Sequence, residues 1–260
     1  MIPFKPTEVF AINDDMEIQT IELEHGDKIL VIDNFYQFPH KVREFCVNSP
    51  APIWKHTEPN IPSRNSVEYW DCRHQWNFFD EPPFYTKLSE IIEQHFGVEI
   101  NTDFARTSFV TNLFQWIIDQ PSNSVGNIAH FDSINMMAAN IYLNTEEEQN
   151  GGTAIYRFKD NGRNRVFGED FDYLLKNKEK YAHLIETGQS YYDENWRDFW
   201  EIDRVLTMKF NRVVIYPGYF FHGAYHTDNA FRHYPRVTQT AFISTKSVPN
   251  EANYYRNNDE

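Results

Sequence analysis

From residue 105 to residue 245 the chain is a succession of short runs rich in β-branched and aromatic residues. Thr107–Ile118, Ala138–Asn144, Thr153–Phe158, Val205–Phe210, Arg212–Tyr216 and Arg236–Ile243 all read as strands. Strands of similar length joined by loops of uneven length suit a sandwich or a jelly roll. One tripeptide narrows the choice. His130-Phe131-Asp132 opens the β block, and His222 lies near its end. A His and a carboxylate two residues apart on extended backbone point the same way, because strand side chains alternate with period 2. They can meet the distant His222 only if the sheet folds back on itself, which a jelly roll does.

If the three meet, they form a 2-His-1-carboxylate face. That donor set suits Fe(II) and leaves coordination positions open. A lone His-x-Asp is weak evidence, since both residues are common. Its weight comes from an ordered set of downstream segments. Asn140-Ile-Tyr-Leu-Asn and Gly151-Gly-Thr-Ala-Ile-Tyr give a strand, a turn and a strand. Asn211-Arg-Val-Val-Ile-Tyr-Pro-Gly-Tyr-Phe-Phe-His222 gives a buried strand, a Pro-Gly turn and a His five residues after Pro217. Arg236-Val-Thr-Gln-Thr-Ala-Phe then places an Arg on the next strand. No GxSxG elbow, Walker loop, GxGxxG or HExxH offers a competing site.

Outside this block the signals are coarser. Residues 17–35 form an expected hairpin that turns at His25-Gly26-Asp27. Pro39 opens a short helix with Val42, Phe45 and Cys46 at helical spacing, stopped by Pro50 and Pro52. Residues 49–82 read as a long loop rich in Pro, Asn and Trp. Phe84 to Phe96 is a stronger helix, with Leu88, Ile91, Ile92 and Phe96 on one apolar face and Gly97 at its end. Pro121–Gly126 is a loop leading into the His-x-Asp segment. Residues 159–203 interrupt the strands with an expected helical insert, either a cover for a sheet face or a lid. Pro249–Glu260 is a polar tail expected to fray. The expected organisation is one domain over 1–260: an α/β buttress over 1–104, a core over 105–245 and a tail over 246–260.

Composition limits the partners. The 260 residues carry 24 Lys and Arg against 38 Asp and Glu, a net charge of −14. That balance opposes broad nucleic-acid binding, which needs clustered cations. Arg157, Lys159, Arg163 and Arg165 make one local basic group, read as a solvated strand end and loop. Two cysteines, Cys46 and Cys72, are too few for a disulfide scaffold. No apolar run reaches the roughly 18 residues of a membrane helix, and the first residues lack an apolar leader. A cytoplasmic protein without membrane contact is the expectation. Trp54, Trp70, Trp76 and Trp116 read as core filling or as the lining of a substrate groove.

The ordered set His-x-Asp, His, Arg resembles the Fe(II)/2-oxoglutarate-dependent oxygenases over roughly residues 105–245. Tyr142-Leu-Asn, Gly151-Gly-Thr, Tyr216-Pro-Gly and Arg236-Val-Thr-Gln look closest to a poorly characterised branch of that superfamily. The resemblance implies a mainly β fold with flanking helices around a double-stranded β-helix (jelly-roll, cupin-like) core. It implies His130, Asp132 and His222 as iron ligands, and Arg236 as the fork that grips the far carboxylate of 2-oxoglutarate. Tyr142 and Thr153 are further candidates to reach the co-substrate, and Asn140 a brace for the site. His226 competes with His222, because its interval to Arg236 is closer to the family's; the offset from Pro217 favours His222. His233 reads as a surface residue. The expected reaction uses Fe(II), 2-oxoglutarate and O2 to hydroxylate a C–H bond, with succinate as co-product. Related halogenases replace the carboxylate with a small residue, so Asp132 favours hydroxylation. The substrate is expected to be a small molecule or a peptide. The rival readings are a jelly-roll protein that binds metal or ligand without turnover, and a cupin-like metalloenzyme that does not use 2-oxoglutarate.

Overall fold

The computed structural model describes residues 9–48, 55–56, 70–76, 83–101, 112–118, 129–166, 199–227, 230, 234 and 236–250. The chain is mostly β-sheet with few helices. Eleven strands are described: β1 (Glu17–Glu22), β2 (Lys28–Asp33), β3 (Lys55–His56), β4 (Trp70–Trp76), β5 (Asn112–Ile118), β6 (Met136–Tyr142), β7 (Gly152–Phe158), β8 (Trp200–Thr207), β9 (Arg212–Pro217), β10 (His222–Tyr225) and β11 (Arg236–Ser244). Two helices accompany them, α1 (Pro39–Asn48) and α2 (Pro83–Phe96). Each begins with a proline, whose missing N–H costs nothing at a helix's first position.

Eight strands make one sheet in the order β1-β2-β9-β6-β11-β5-β4-β3, and three make a second in the order β10-β7-β8. All pairings are antiparallel. The centre of the large sheet is covered on both faces, so β6 and β9 read as nearly continuous apolar runs. Period 2 then sorts their side chains. Met137, Ala139, Ile141, Val213, Ile215, Val237, Ala241 and Ile243 join Leu88, Ile91, Ile92 and Phe96 of α2 in one core cluster. Ala138, Tyr142, Val214 and Tyr216 face the other way, into a cluster with Ile155, Leu206 and Phe220 from around the small sheet. The candidate residues lie on this second face.

The expected hairpin forms, with β1 and β2 paired across a 3-10 turn at Glu24–Gly26. Four expectations need correction. The loop expected over 49–82 contains β3 and β4, and β4 pairs with β5 along its full length. The insert expected over 159–203 is shorter, because β8 begins at Trp200 and pairs with β7. Arg165 is not solvated but buried, and it pairs with the buried Asp27, while the half-buried Arg157 pairs with Asp203 at 2.6 Å. The polar tail is anchored at its start, where Asn250 Nδ2 donates to Asp27 at 3.0 Å. The helices expected between Phe171 and Ile185, the loop at 121–126, Trp54, His233 and residues 251–260 lie outside the described residues. So do the side chains of Cys46, Cys72, Trp70, Trp76 and Trp116. No described helix is long and apolar enough to cross a membrane.

Candidate metal centre

Backbone pairing brings the two distant segments together. His130 N donates to His222 O at 2.9 Å, and His222 N donates to His130 O at 2.7 Å. That reciprocal pair continues the small sheet past β10 by one residue on the far side from β7. Asp132 is fixed next: its N donates to Gly218 O at 2.8 Å, and Gly218 N donates to Met136 O at 2.7 Å. The Pro217-Gly218 turn sits so close to this segment that a Cβ on Gly218 would lie 2.7 Å from Ser133 O. Only glycine permits that approach.

The three side chains converge as the alternation requires. One ligand atom from each of His130, Asp132 and His222 lies within 4.8 Å of the others. Asp132 Oδ2 is 3.4 Å from His222 Nε2, and Asp132 Oδ1 is 3.8 Å from His130 Nε2. The imidazole centroids are 4.4 Å apart. His222 Nδ1 lies 2.9 Å from Phe220 O. A carbonyl only accepts, so Nδ1 carries the proton and the Nε2 lone pair faces the carboxylate. Burial pulls His222 down to about 4, which keeps it neutral and available as a ligand. Burial pushes the Asp132 carboxyl up to about 6, against the opposing pull of His130. Among the described residues Asp132 Oδ2 accepts no hydrogen bond, although it is buried. Two imidazole nitrogens and a buried oxygen without a donor suit a divalent cation of intermediate softness.

It is His222 that lies against His130 and Asp132. His226 is buried elsewhere, with Nδ1 2.9 Å from Thr227 O. Arg236, 2% exposed, sits at the start of β11, and its Nη2 donates to Gly152 O at 2.8 Å. Tyr142 and Thr153 meet in the same interior. Their hydroxyl oxygens are 2.7 Å apart, and Tyr142 also donates to Leu206 O at 3.3 Å. Burial pushes the Tyr142 hydroxyl up to about 12, so it stays protonated. Asn140 Nδ2 donates to Tyr216 Oη at 2.9 Å and reaches Thr153 Oγ1 at 3.4 Å, while Thr240 Oγ1 donates to Asn140 Oδ1 at 2.9 Å. The Tyr216 ring meets the His222 ring edge-on at 4.8 Å. Asn140 therefore braces His222 through Tyr216. In the sequence Tyr216 stands out only as part of a turn motif, because nothing local marks a strand-end tyrosine as a neighbour of a histidine six residues on.

The sequence model of DUF6445, a family of unknown function, matches residues 80–243, well over half of the chain. No curated protein matches the sequence. Among solved structures, the chain is similar to HygX from Streptomyces hygroscopicus with nickel and 2-oxoglutarate bound. The identity is 10% and the TM-score 0.41, over 84% of this chain and 82% of that one.

Proposed function

We propose that this chain, which belongs to the DUF6445 family, is an Fe(II)- and 2-oxoglutarate-dependent dioxygenase that hydroxylates a C–H bond of a small-molecule or peptide substrate. The observation that carries the reading is the convergence of His130, Asp132 and His222 within 4.8 Å, and the buried Arg236 at the start of β11 supports it. The sheet layout supports a double-stranded β-helix core. β5, β11, β6 and β9 run side by side in the large sheet, and the small sheet runs from His130 through β10 and β7 to β8.

In this reading His130 Nε2, Asp132 and His222 Nε2 hold the metal on one face. When bound, Fe(II) chelated by 2-oxoglutarate activates O2 for C–H hydroxylation, with succinate and CO2 released. The protein's part is positioning. The Phe220 carbonyl fixes the His222 tautomer, and the Gly218 carbonyl holds the Asp132 backbone. Arg236 offers a planar cation in a buried setting, where a carboxylate is gripped more strongly than in water. Its Nη2 is steadied on Gly152 O. Tyr142 pairs with Thr153, which Asn140 reaches and which follows Gly152, the residue whose carbonyl Arg236 rests on.

The test is anaerobic addition of Fe(II) and 2-oxoglutarate to the metal-free protein, followed by visible absorption. A charge-transfer band that is absent in Asp132→Ala and His130→Ala, and that needs far more 2-oxoglutarate in Arg236→Ala, is expected. Succinate release then screens substrates. Metal binding with no band and no succinate would leave a metal- or ligand-binding protein without turnover. An Arg236→Ala variant with unchanged 2-oxoglutarate affinity would remove Arg236 from the site.

A further inference from the structure

Hydrogen-bond directions in the interior can be followed from a fixed point. The fixed point is the Asn140 amide: Nδ2 lies toward Thr153 Oγ1, 3.4 Å away, and toward Tyr216, and Oδ1 lies toward Thr240, which donates to it at 2.9 Å. Tyr216 Oη therefore accepts from Asn140 Nδ2, 2.9 Å away. Its own proton remains. Among the described residues no acceptor receives it, in a side chain that is 1% exposed and packed against the His222 ring.

The Tyr142 and Thr153 hydroxyls pair with one another at 2.7 Å. The uncommitted donor is that of Tyr216, next to the triad. On the His222 ring that Tyr216 packs against, Nε2 lies 3.4 Å from Asp132 Oδ2, which is buried and also without a hydrogen-bond partner among the described residues. A donor without an acceptor and a carboxylate oxygen without a cation, both buried in one interior, fit a ligand pair of cation and anion.

We propose that the Tyr216 hydroxyl donates a hydrogen bond to the anionic ligand atom that sits beside the His130–Asp132–His222 group, the keto-acid end of 2-oxoglutarate in the function proposed above. The inference rests on that reading for the identity of the anion, and on the donor directions alone for the donor. Asn140 is the positioning residue behind it, turned by Thr240 so that Tyr216 must donate forward.

The experiment uses full-length protein loaded with Co(II), whose visible bands report ligands entering the open positions. Azide and 2-oxoglutarate are titrated anaerobically into wild type, Tyr216→Phe, and protein carrying 3-fluorotyrosine at position 216. Losing a hydrogen bond to a charged group weakens binding roughly ten- to a hundredfold. Tyr216→Phe is expected to weaken both anions by that factor while its Co(II) affinity stays within about twofold. The fluorinated ring keeps the hydroxyl and makes it a stronger donor, so it is expected to tighten both, and it carries the test if the phenylalanine variant does not fold. Equal azide affinity in all three proteins overturns the proposal. Azide weakened in Tyr216→Phe, with no 2-oxoglutarate binding in wild type, upholds the donor and rejects the dioxygenase reading. No Co(II) binding in wild type overturns both.

Discussion

At the scale of single residues, Asp132 and His222 hold opposite positions in pH. His222 titrates at about 4 in the fold against 6.5 unperturbed. The unfolded chain therefore takes up this proton first, and stability is lost as pH falls from 6.5 toward 4. Asp132 titrates at about 6 against 3.8. Here the folded state takes up the proton first, and stability is gained as pH falls from 6 toward 3.8. The two slopes oppose each other over nearly the same window. The expected result is a metal-free protein to whose pH dependence this pair adds almost nothing. Asp132→Asn removes one slope and should expose the other, a loss of about 1.4 kcal/mol per pH unit between pH 6.5 and 4. Urea denaturation across that range measures it. In the proposed function metal binding requires the Asp132 carboxylate, so Mn(II) affinity should fall about tenfold per pH unit below pH 6, with one proton released per metal; calorimetry in two buffers counts it. The pair itself was legible in the sequence because alternation along a strand is a local rule. The choice of His222 over His226 rested on the offset from Pro217 alone, because spacing counts residues and says nothing of which carbonyl fixes each ring.

At the scale of elements, the buried ion pair of Asp27 and Arg165 joins segments far apart in the chain. Asp27 also accepts from Tyr219 Oη at 2.7 Å and from Asn250 Nδ2 at 3.0 Å. Tyr219 O in turn accepts from Val166 N at 2.9 Å. The turn between β1 and β2, the segment after β7, the loop before β10 and the start of the C-terminal segment thus share one carboxylate. Removing one member of a buried ionic pair typically costs about 3–5 kcal/mol. Arg165→Ala should lose that much, whereas Asp27→Leu with Arg165→Met should recover part of it; thermal denaturation of the three proteins decides. Gly152 gives a second case. Its φ is +147°, and a Cβ there would lie 2.0 Å from Leu206 O. Gly152→Ala is expected to cost more than about 1 kcal/mol from backbone conformation alone, with further loss from parting β7 and β8. Since Gly152 O steadies Arg236, 2-oxoglutarate binding should weaken in parallel. Neither feature was visible in the sequence. Asp27 read as a turn residue and Arg165 as part of a solvated basic group, because partners this distant leave no mark on local pattern.

At the scale of the whole molecule, the β-rich character could be read from the sequence because the middle strands of the large sheet are buried on both faces and so are written in apolar residues. β4 could not. Trp70-Asp-Cys-Arg-His-Gln-Trp76 has few β-formers and owes its conformation to pairing with β5, a tertiary effect that outweighs propensity. The same holds for the start of β8, where Glu201 and Asp203 hide a strand paired with β7. The metal adds a global term. A cation that binds only the folded state stabilises it by about 2.7 kcal/mol at a hundredfold excess over its dissociation constant. Fe(II) or Mn(II) should therefore raise the melting temperature of the wild type and leave that of Asp132→Ala unmoved, as scanning calorimetry would record.

The triad also fixes a moment in the protein's synthesis. His130 and Asp132 leave the ribosome long before His222, and the interior between them is not closed until β11 pairs on β6 and β5. Until then the early histidine and carboxylate are two ordinary side chains on a growing strand. In the function proposed above, the nascent chain has no pocket in which to hold a redox-active ion, so capture of the metal would wait on the last strand of the sheet.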